Sequence, residues 1–329
     1  MNVRIDRKRI FIFVAIAYGL SIALGLVLFF NGGLGGSPVV LPGRNLPFIL
    51  MGLLMFAPTV ANIATRLITR EGWANTYLRP KIRRGWRFYL AAWFLPALAA
   101  FVGGAIYYLL FPGQSDPSLS LLRSQMAQAP ELSGMDPWRY ILIQKVFTIL
   151  VAPWISMFLA IGEEFGWRAY LLQKLLPLGT RKAVLIVGVI WGVWHWPFLF
   201  MGYNYGLNYW GAPVTAPLLF VVLTCFLSTF LTWVTLRSGS VWPAAIGHGA
   251  VNATSYLMAF LLIGEPDLLI GPLAMGIIGS LGYALLALLI FFNPRALAQP
   301  AFIPAGMPAS GNRGAGVNAA DQTKLGTAS

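Results

Sequence analysis

Long apolar runs alternate with short polar or glycine-rich segments along most of this chain. Each run approaches the roughly 20 residues that an α-helix needs to cross the ~30 Å hydrocarbon core of a bilayer. The pattern therefore predicts an all-α, polytopic membrane protein of about eight transmembrane helices. The predicted spans cover residues 10–30, 46–65, 88–111, 153–176, 183–201, 214–236, 241–263 and 269–293.

The apolar run at residues 139–176 is too long for one simple crossing. Pro153 is its natural break, because proline removes a backbone hydrogen-bond donor and kinks a helix. We expect residues 140–152 to enter from the outer side of the membrane and residues 153–176 to complete the crossing.

The two ends of the chain differ in character. A basic N-terminus followed by an apolar run resembles a signal peptide, but the run is long enough to span and no small-residue cleavage site closes it. We therefore expect it to be retained as the first helix of a single transmembrane domain over residues 1–293, with a motif core at residues 153–260. The tail at residues 294–329 is rich in Ala, Gly and Pro without periodicity, which predicts a disordered cytoplasmic segment.

The composition agrees with the hydropathy pattern. Hydrophobic residues make up 58% of the chain and charged residues only 10%, with a mean hydropathy of +0.72, whereas soluble domains carry roughly 25% charged residues. The single cysteine, Cys225, excludes a disulfide within the chain and a cysteine-based metal site.

The formal net charge of +13 would suit nucleic-acid binding in a soluble protein. Here, however, the basic residues cluster between the apolar runs, most densely at residues 66–87. Because cytoplasmic loops carry the excess of Lys and Arg, we expect that loop and both termini to be cytoplasmic. The predicted partner is thus the lipid bilayer and not nucleic acid, and we expect a multi-pass protein of a bacterial inner (plasma) membrane.

Three ionisable residues, Glu163, Glu164 and Arg168, lie inside the apolar stretch IGEEFGWRAYLL at residues 161–172. Ionisable groups in hydrocarbon cost several kcal/mol, so they are usually retained for function. The chain has only two histidines. One of them, His195, lies as far from the turn at Gly179 as Glu163 does, roughly 24 Å along each helix, so we expect this carboxylate and this imidazole at similar depth, as an acid–base pair.

Two pairs of residues stand four positions apart on predicted helices, which places each pair on one helix face. His248 and Asn252 could both donate to a single developing negative charge. Glu164 and Arg168 are oriented to form an ion pair that holds the helix and leaves Glu163 free. Each residue taken alone also has a structural interpretation, such as a hydrogen bond between helices.

Three motifs carry a resemblance to a known family. EEFGWR, from Glu163 to Arg168, fits an EExxxR motif, and HGAVN, from His248 to Asn252, is similar to an HxxxN motif. WGVWH resembles an FxxxH motif with Trp191 at the phenylalanine position. All three, in this order, resemble the CPBP (Abi) family of intramembrane proteases, which includes the type II CAAX prenyl endopeptidases and bacteriocin-processing or immunity relatives.

The resemblance implies an intramembrane endopeptidase that cuts near the cytoplasmic membrane face. It implies Glu163 as general base with His195 as its partner, and His248 and Asn252 as the oxyanion site. Supporting roles fall to Glu164, Arg168 and Trp191, the last of which is expected to reshape the pocket but to matter little for the chemistry. The implied substrate is a peptide or a prenylated protein, including the C-terminal tripeptide of a CAAX-type substrate.

Several alternatives stay open at this point. A zinc ion could be held by Glu163, His195 and His248, although HExxH is absent and a metal-independent glutamate-type mechanism needs no cofactor. Which of Glu163 and Glu164 is the base is also open. Finally, the same polar site could serve a non-enzymatic protein, either a proton-coupled carrier or a bacteriocin-immunity-type scaffold.

Overall fold

The computed structural model describes residues 5–36, 39–41, 44–132, 134–264 and 266–298. Most of the predicted disordered tail, from residue 299 onward, lies outside the described residues. Helices dominate the described part, with one short antiparallel strand pair in the loop after the first helix. The elements are α1 (Arg7–Phe30), β1 (Val39–Leu41), β2 (Arg44–Asn45), α2 (Leu46–Ile68), α3 (Ile82–Leu110), α4 (Ser120–Ala127), α5 (Pro137–Leu150), α6 (Ala152–Gly166), α7 (Leu172–Leu175), α8 (Thr180–Trp194), α9 (Trp196–Leu199), α10 (Thr215–Ser238), α11 (Trp242–Thr254) and α12 (Leu281–Phe292).

The prediction of an all-α, polytopic membrane fold is confirmed. Among the described residues, the helices α1, α2, α3 and α10 are each long and apolar enough to cross a membrane. The bent pair of α5 with the helical segment after it makes a fifth if it is taken as one span. The count of eight spans and the cytoplasmic position of the termini stay predictions.

The break predicted at Pro153 is present. Helix α5 ends at Leu150, α6 begins at Ala152, and the two helical segments are bent by 40°. Proline in the first turn of α6 fits this position, because the amide that it lacks would have no partner inside the helix.

The last two predicted spans were wrong in their extent. In place of residues 241–263, the helix α11 ends at Thr254, and in place of residues 269–293, the helix α12 begins only at Leu281. Turns occupy most of the segment between them. Gly271 has a φ of +130° and Pro272 follows it, and both features oppose a continuous helix despite the apolar composition.

Helix α6 lies at the centre of the fold, packed between α2 on one side and α11 on the other. Small residues permit the close approach: a Cβ added at Gly166 would lie 2.5 Å from the Pro58 carbonyl oxygen of α2. On the other side, a Cβ added at Gly249 would lie 2.6 Å from the Pro153 carbonyl oxygen. Membrane helices associate through such close packing, because lipid supplies little hydrophobic drive.

We expect Gly249→Ala to destabilise the protein by about 1–3 kcal/mol, because the added methyl group forces α6 and α11 apart. Gly19→Ala on α1 is the matched control, since nothing lies within 4 Å of a Cβ at that position. Thermal unfolding of both variants in the same detergent tests the prediction. Equal melting temperatures for the two variants would contradict the tight α6–α11 contact.

Candidate functional site

The last turn of α6 and the π-helical turn that follows it, Trp167–Leu171, carry the acidic and basic residues of the site. Glu163 is 3% exposed, and both Glu164 and Arg168 are fully buried. The backbone N–H of Trp167 donates to the carbonyls of both glutamates where the winding changes. Single π turns inside α-helices are rare and frequently mark functional sites.

Glu164 joins two helices through one carboxylate oxygen. Its Oε1 accepts a hydrogen bond of 2.9 Å from Arg168 Nη1, which confirms the predicted ion pair. The same oxygen lies 2.8 Å from Nδ1 of His248 on α11. Glu164 therefore does more than hold its own helix, because it also fixes the position of an imidazole of the site.

Glu163 is held by two indoles. Its Oε2 accepts a bond of 2.6 Å from Trp191 Nε1 on α8 and a longer one of 3.3 Å from Trp167 Nε1. The expectation that position 191 matters little for the chemistry assumed that it carries no hydrogen-bond donor. The indole N–H contradicts that assumption, because a phenyl ring lacks such a donor, and the part of Trp191 in the chemistry stays a prediction. Trp167 was missed, although it stands four residues after Glu163 and hence on the same helix face.

His195 follows directly after α8 and is only partly buried. Its Nδ1 lies 2.9 Å from the carbonyl oxygen of Trp191, and its ring packs against Trp194 and Phe220. A carbonyl oxygen can only accept, so Nδ1 carries the proton and Nε2 holds a free lone pair in the neutral ring.

The structure thus brings together six of the seven predicted site residues. His248 is 5% exposed and packs against the Trp191 ring with centroids 5.3 Å apart. The Arg168 guanidinium lies over the Trp191 ring, 4.5 Å from its centroid. Asn252 is the exception: its side chain is exposed, and no hydrogen bond links it to the other described residues. Its role in the site stays a prediction.

The charges of the cluster come from two carboxylates and one guanidinium buried together. Protonation of His248 would bring this set to neutrality, with Glu164 between two cations. One oxygen of Glu164, Oε2, and the Nε and Nη2 groups of Arg168 are buried without a hydrogen-bond partner among the described residues. Buried polar atoms of this kind are usually satisfied by internal water or a ligand.

The arrangement does not form a zinc site as it stands. Within the described part of the chain, no three His, Cys, Asp or Glu side chains are placed to hold a metal ion together. The Nδ1 of His248 already contacts Glu164, and Oε2 of Glu163 is engaged by two indoles. A metal-bound histidine commonly donates its other ring N–H to a carboxylate, so these contacts leave metal dependence a prediction.

The apolar helices and the buried Glu–Arg–His cluster define a class of protein, the polytopic membrane proteins with an ionisable cluster in their interior. Comparison with known proteins shows a more specific similarity within this class. Residues 145–254 match the family model of type II CAAX prenyl endopeptidases, Rce1-like. This segment contains all three motifs, so the match agrees with the resemblance inferred from them.

A curated relative matches the chain as well. CAAX prenyl protease 2 of Methanococcus maripaludis is 28% identical over 99 residues. The alignment covers 30% of this chain and 36% of the relative. The chain therefore matches only about a third of the length of that relative.

The buried ion pair gives a stability prediction. Arg168→Met leaves Glu164 buried with one cation fewer, and loss of one partner of a buried pair costs about 3–5 kcal/mol. We expect a clear fall in melting temperature, with much of it recovered in the double variant Glu164→Gln/Arg168→Met. Arg139→Met, at an exposed position of α5, is the control. A single variant that melts with this control would contradict the pairing.

Proposed function

We propose that the protein is an intramembrane endopeptidase that hydrolyses a peptide bond with a water molecule activated by Glu163 and His195. The observation that carries the proposal is the cluster around Trp191, which contacts Glu163, His195 and His248 within the segment matching the endopeptidase family. Peptide hydrolysis needs a base, a proton carrier and donors for the developing oxyanion, and this cluster contains candidates for each.

Glu163 is the base in this proposal. Its Oε2 is occupied by two indole N–H groups, which leaves Oε1 to accept a proton from the attacking water. The water oxygen bonds to the peptide carbonyl carbon, and the carbonyl π electrons move onto oxygen. The unprotonated Nε2 of His195 helps to orient the same water. The oxyanion then re-forms the carbonyl, the C–N bond breaks with its electron pair on nitrogen, and the amine leaves with the proton held by Glu163.

His248 and Asn252 stabilise the oxyanion in this proposal. A histidine can donate from Nε2 while Nδ1–H is bound to a carboxylate only if both nitrogens are protonated. Glu164 suits that state, because its oxygen lies 2.8 Å from Nδ1 and compensates the charge of the imidazolium. Asn252 stands one turn further along α11, and we propose that its carboxamide turns to the carbonyl oxygen when substrate binds.

The substrate class follows from the membrane setting and the relative. The relative is named a CAAX prenyl protease, and we extend that to a substrate here with a C-terminal CAAX-type sequence and a prenyl group dissolved in the bilayer. Cleavage would release the C-terminal tripeptide at the cytoplasmic face of a bacterial inner membrane. No metal ion is needed for these steps.

The proposal is tested with the purified protein in lipid nanodiscs and a farnesylated CAAX peptide, with the same peptide lacking the lipid alongside. We expect Glu163→Gln, His195→Gln and His248→Gln to lower cleavage by roughly 10²–10⁴-fold, the usual contribution of acid–base groups. Glu131→Gln, at an exposed position, should cleave like the wild type. Near-normal turnover by folded Glu163→Gln would contradict the mechanism.

Two further arms separate the alternatives. Cleavage that survives a strong chelator supports the metal-independent mechanism, whereas loss that zinc restores would overturn it. Proton flux into liposomes without hydrolysis of any peptide would replace the peptidase by a proton-coupled carrier.

A further inference from the structure

Trp191 contacts four other residues of the candidate site. Its indole N–H donates to Glu163 at 2.6 Å, and its main-chain carbonyl lies 2.9 Å from Nδ1 of His195. The Arg168 guanidinium lies over its ring at 4.5 Å from the centroid, and the His248 ring meets it in a T-shaped contact with centroids 5.3 Å apart. It is 2% exposed, so these contacts are formed away from water.

A structural explanation must be weighed first, because any buried indole N–H needs an acceptor. Trp194, three residues later, illustrates that case. It is 1% exposed, and its indole donates at 3.0 Å to the main-chain carbonyl of Ala17 on α1. Trp191 instead donates to a carboxylate that the motif places at the chemical centre, and a bond to a charged acceptor is about twice as strong as a neutral one.

We propose that Trp191 is a positioning residue for the peptidase reaction, and this inference rests on the function proposed above. Its indole N–H holds Glu163 by Oε2, so that Oε1 is the oxygen presented to water. Its carbonyl holds His195 by Nδ1, so that Nε2 is the nitrogen presented to the same water. One residue thereby sets the orientation of both groups that activate the nucleophile.

The carbonyl contact does not depend on the side chain, so Trp191→Phe removes one interaction selectively. The phenyl ring restores the residue that the FxxxH motif usually has and keeps aromatic contact with Arg168 and His248. Of the hydrogen bonds made by Trp191, only the indole N–H bond to Glu163 is lost.

The experiment compares Trp191→Phe with Trp93→Phe on the farnesylated peptide. Trp93 is the matched control, because its indole donates at 2.9 Å to the main-chain carbonyl of Ile149, away from the site. We expect kcat to fall roughly tenfold to a hundredfold in Trp191→Phe with little change in KM, as the loss of a bond to a charged group implies. Trp93→Phe should leave both kcat and KM in place. Equal kcat values for the two variants would overturn the proposal.

A second readout does not need activity. Ultraviolet resonance Raman spectra report the hydrogen bonding of indole N–H groups, and a strongly bonded indole should disappear from the spectrum in Trp191→Phe. The same indole should shift towards weaker bonding in Glu163→Gln, which retains the shape of the acceptor without its charge. No shift in that variant would overturn the contact. If the wild type cleaves no peptide, the proposed function is overturned. The Raman spectrum still shows whether the Trp191 indole donates a hydrogen bond to Glu163.

Discussion

Charge compensation in an apolar interior is the constraint on which this site depends. One oxygen of Glu164 provides this compensation. It accepts a hydrogen bond from Arg168 at 2.9 Å and lies 2.8 Å from Nδ1 of His248. The first partner belongs to the same helical segment and the second to α11, so the ion pair and the helix packing support each other. The close approach of α6 and α11 at Gly249 brings the imidazole within reach, and the buried carboxylate in turn holds α11 in place.

Two adjacent carboxylates acquire different surroundings at the point where the α-helix changes to a π turn. Glu163 faces indole donors, which are neutral, while Glu164 faces a guanidinium and an imidazole. Residues four positions later, Trp167 and Arg168, turn back onto Glu163 and Glu164 respectively. Neighbouring side chains of one chemical type thus reach separate environments because successive helical positions point in different directions.

Much of this was accessible from the sequence because it depends on local rules. Hydropathy predicted a helical membrane fold, and Pro153 predicted the break between α5 and α6. The four-residue spacing predicted the pair of Glu164 with Arg168. The prediction of continuous helices from apolar composition was wrong after Thr254. An apolar segment that contains Gly271 and Pro272 can be buried as turns when neighbouring helices cover it.

The identity of the acceptor for each polar side chain was beyond the sequence, because it depends on the rotation of one helix against another. The indole of Trp191 is the instructive case. Both indole N–H groups bind the same oxygen of Glu163, Oε2, so its Oε1 is left for a water molecule. Glu164 instead joins a guanidinium and an imidazole through its Oε1 and so links two helices. The different partners of the two glutamates therefore favour Glu163 as the base.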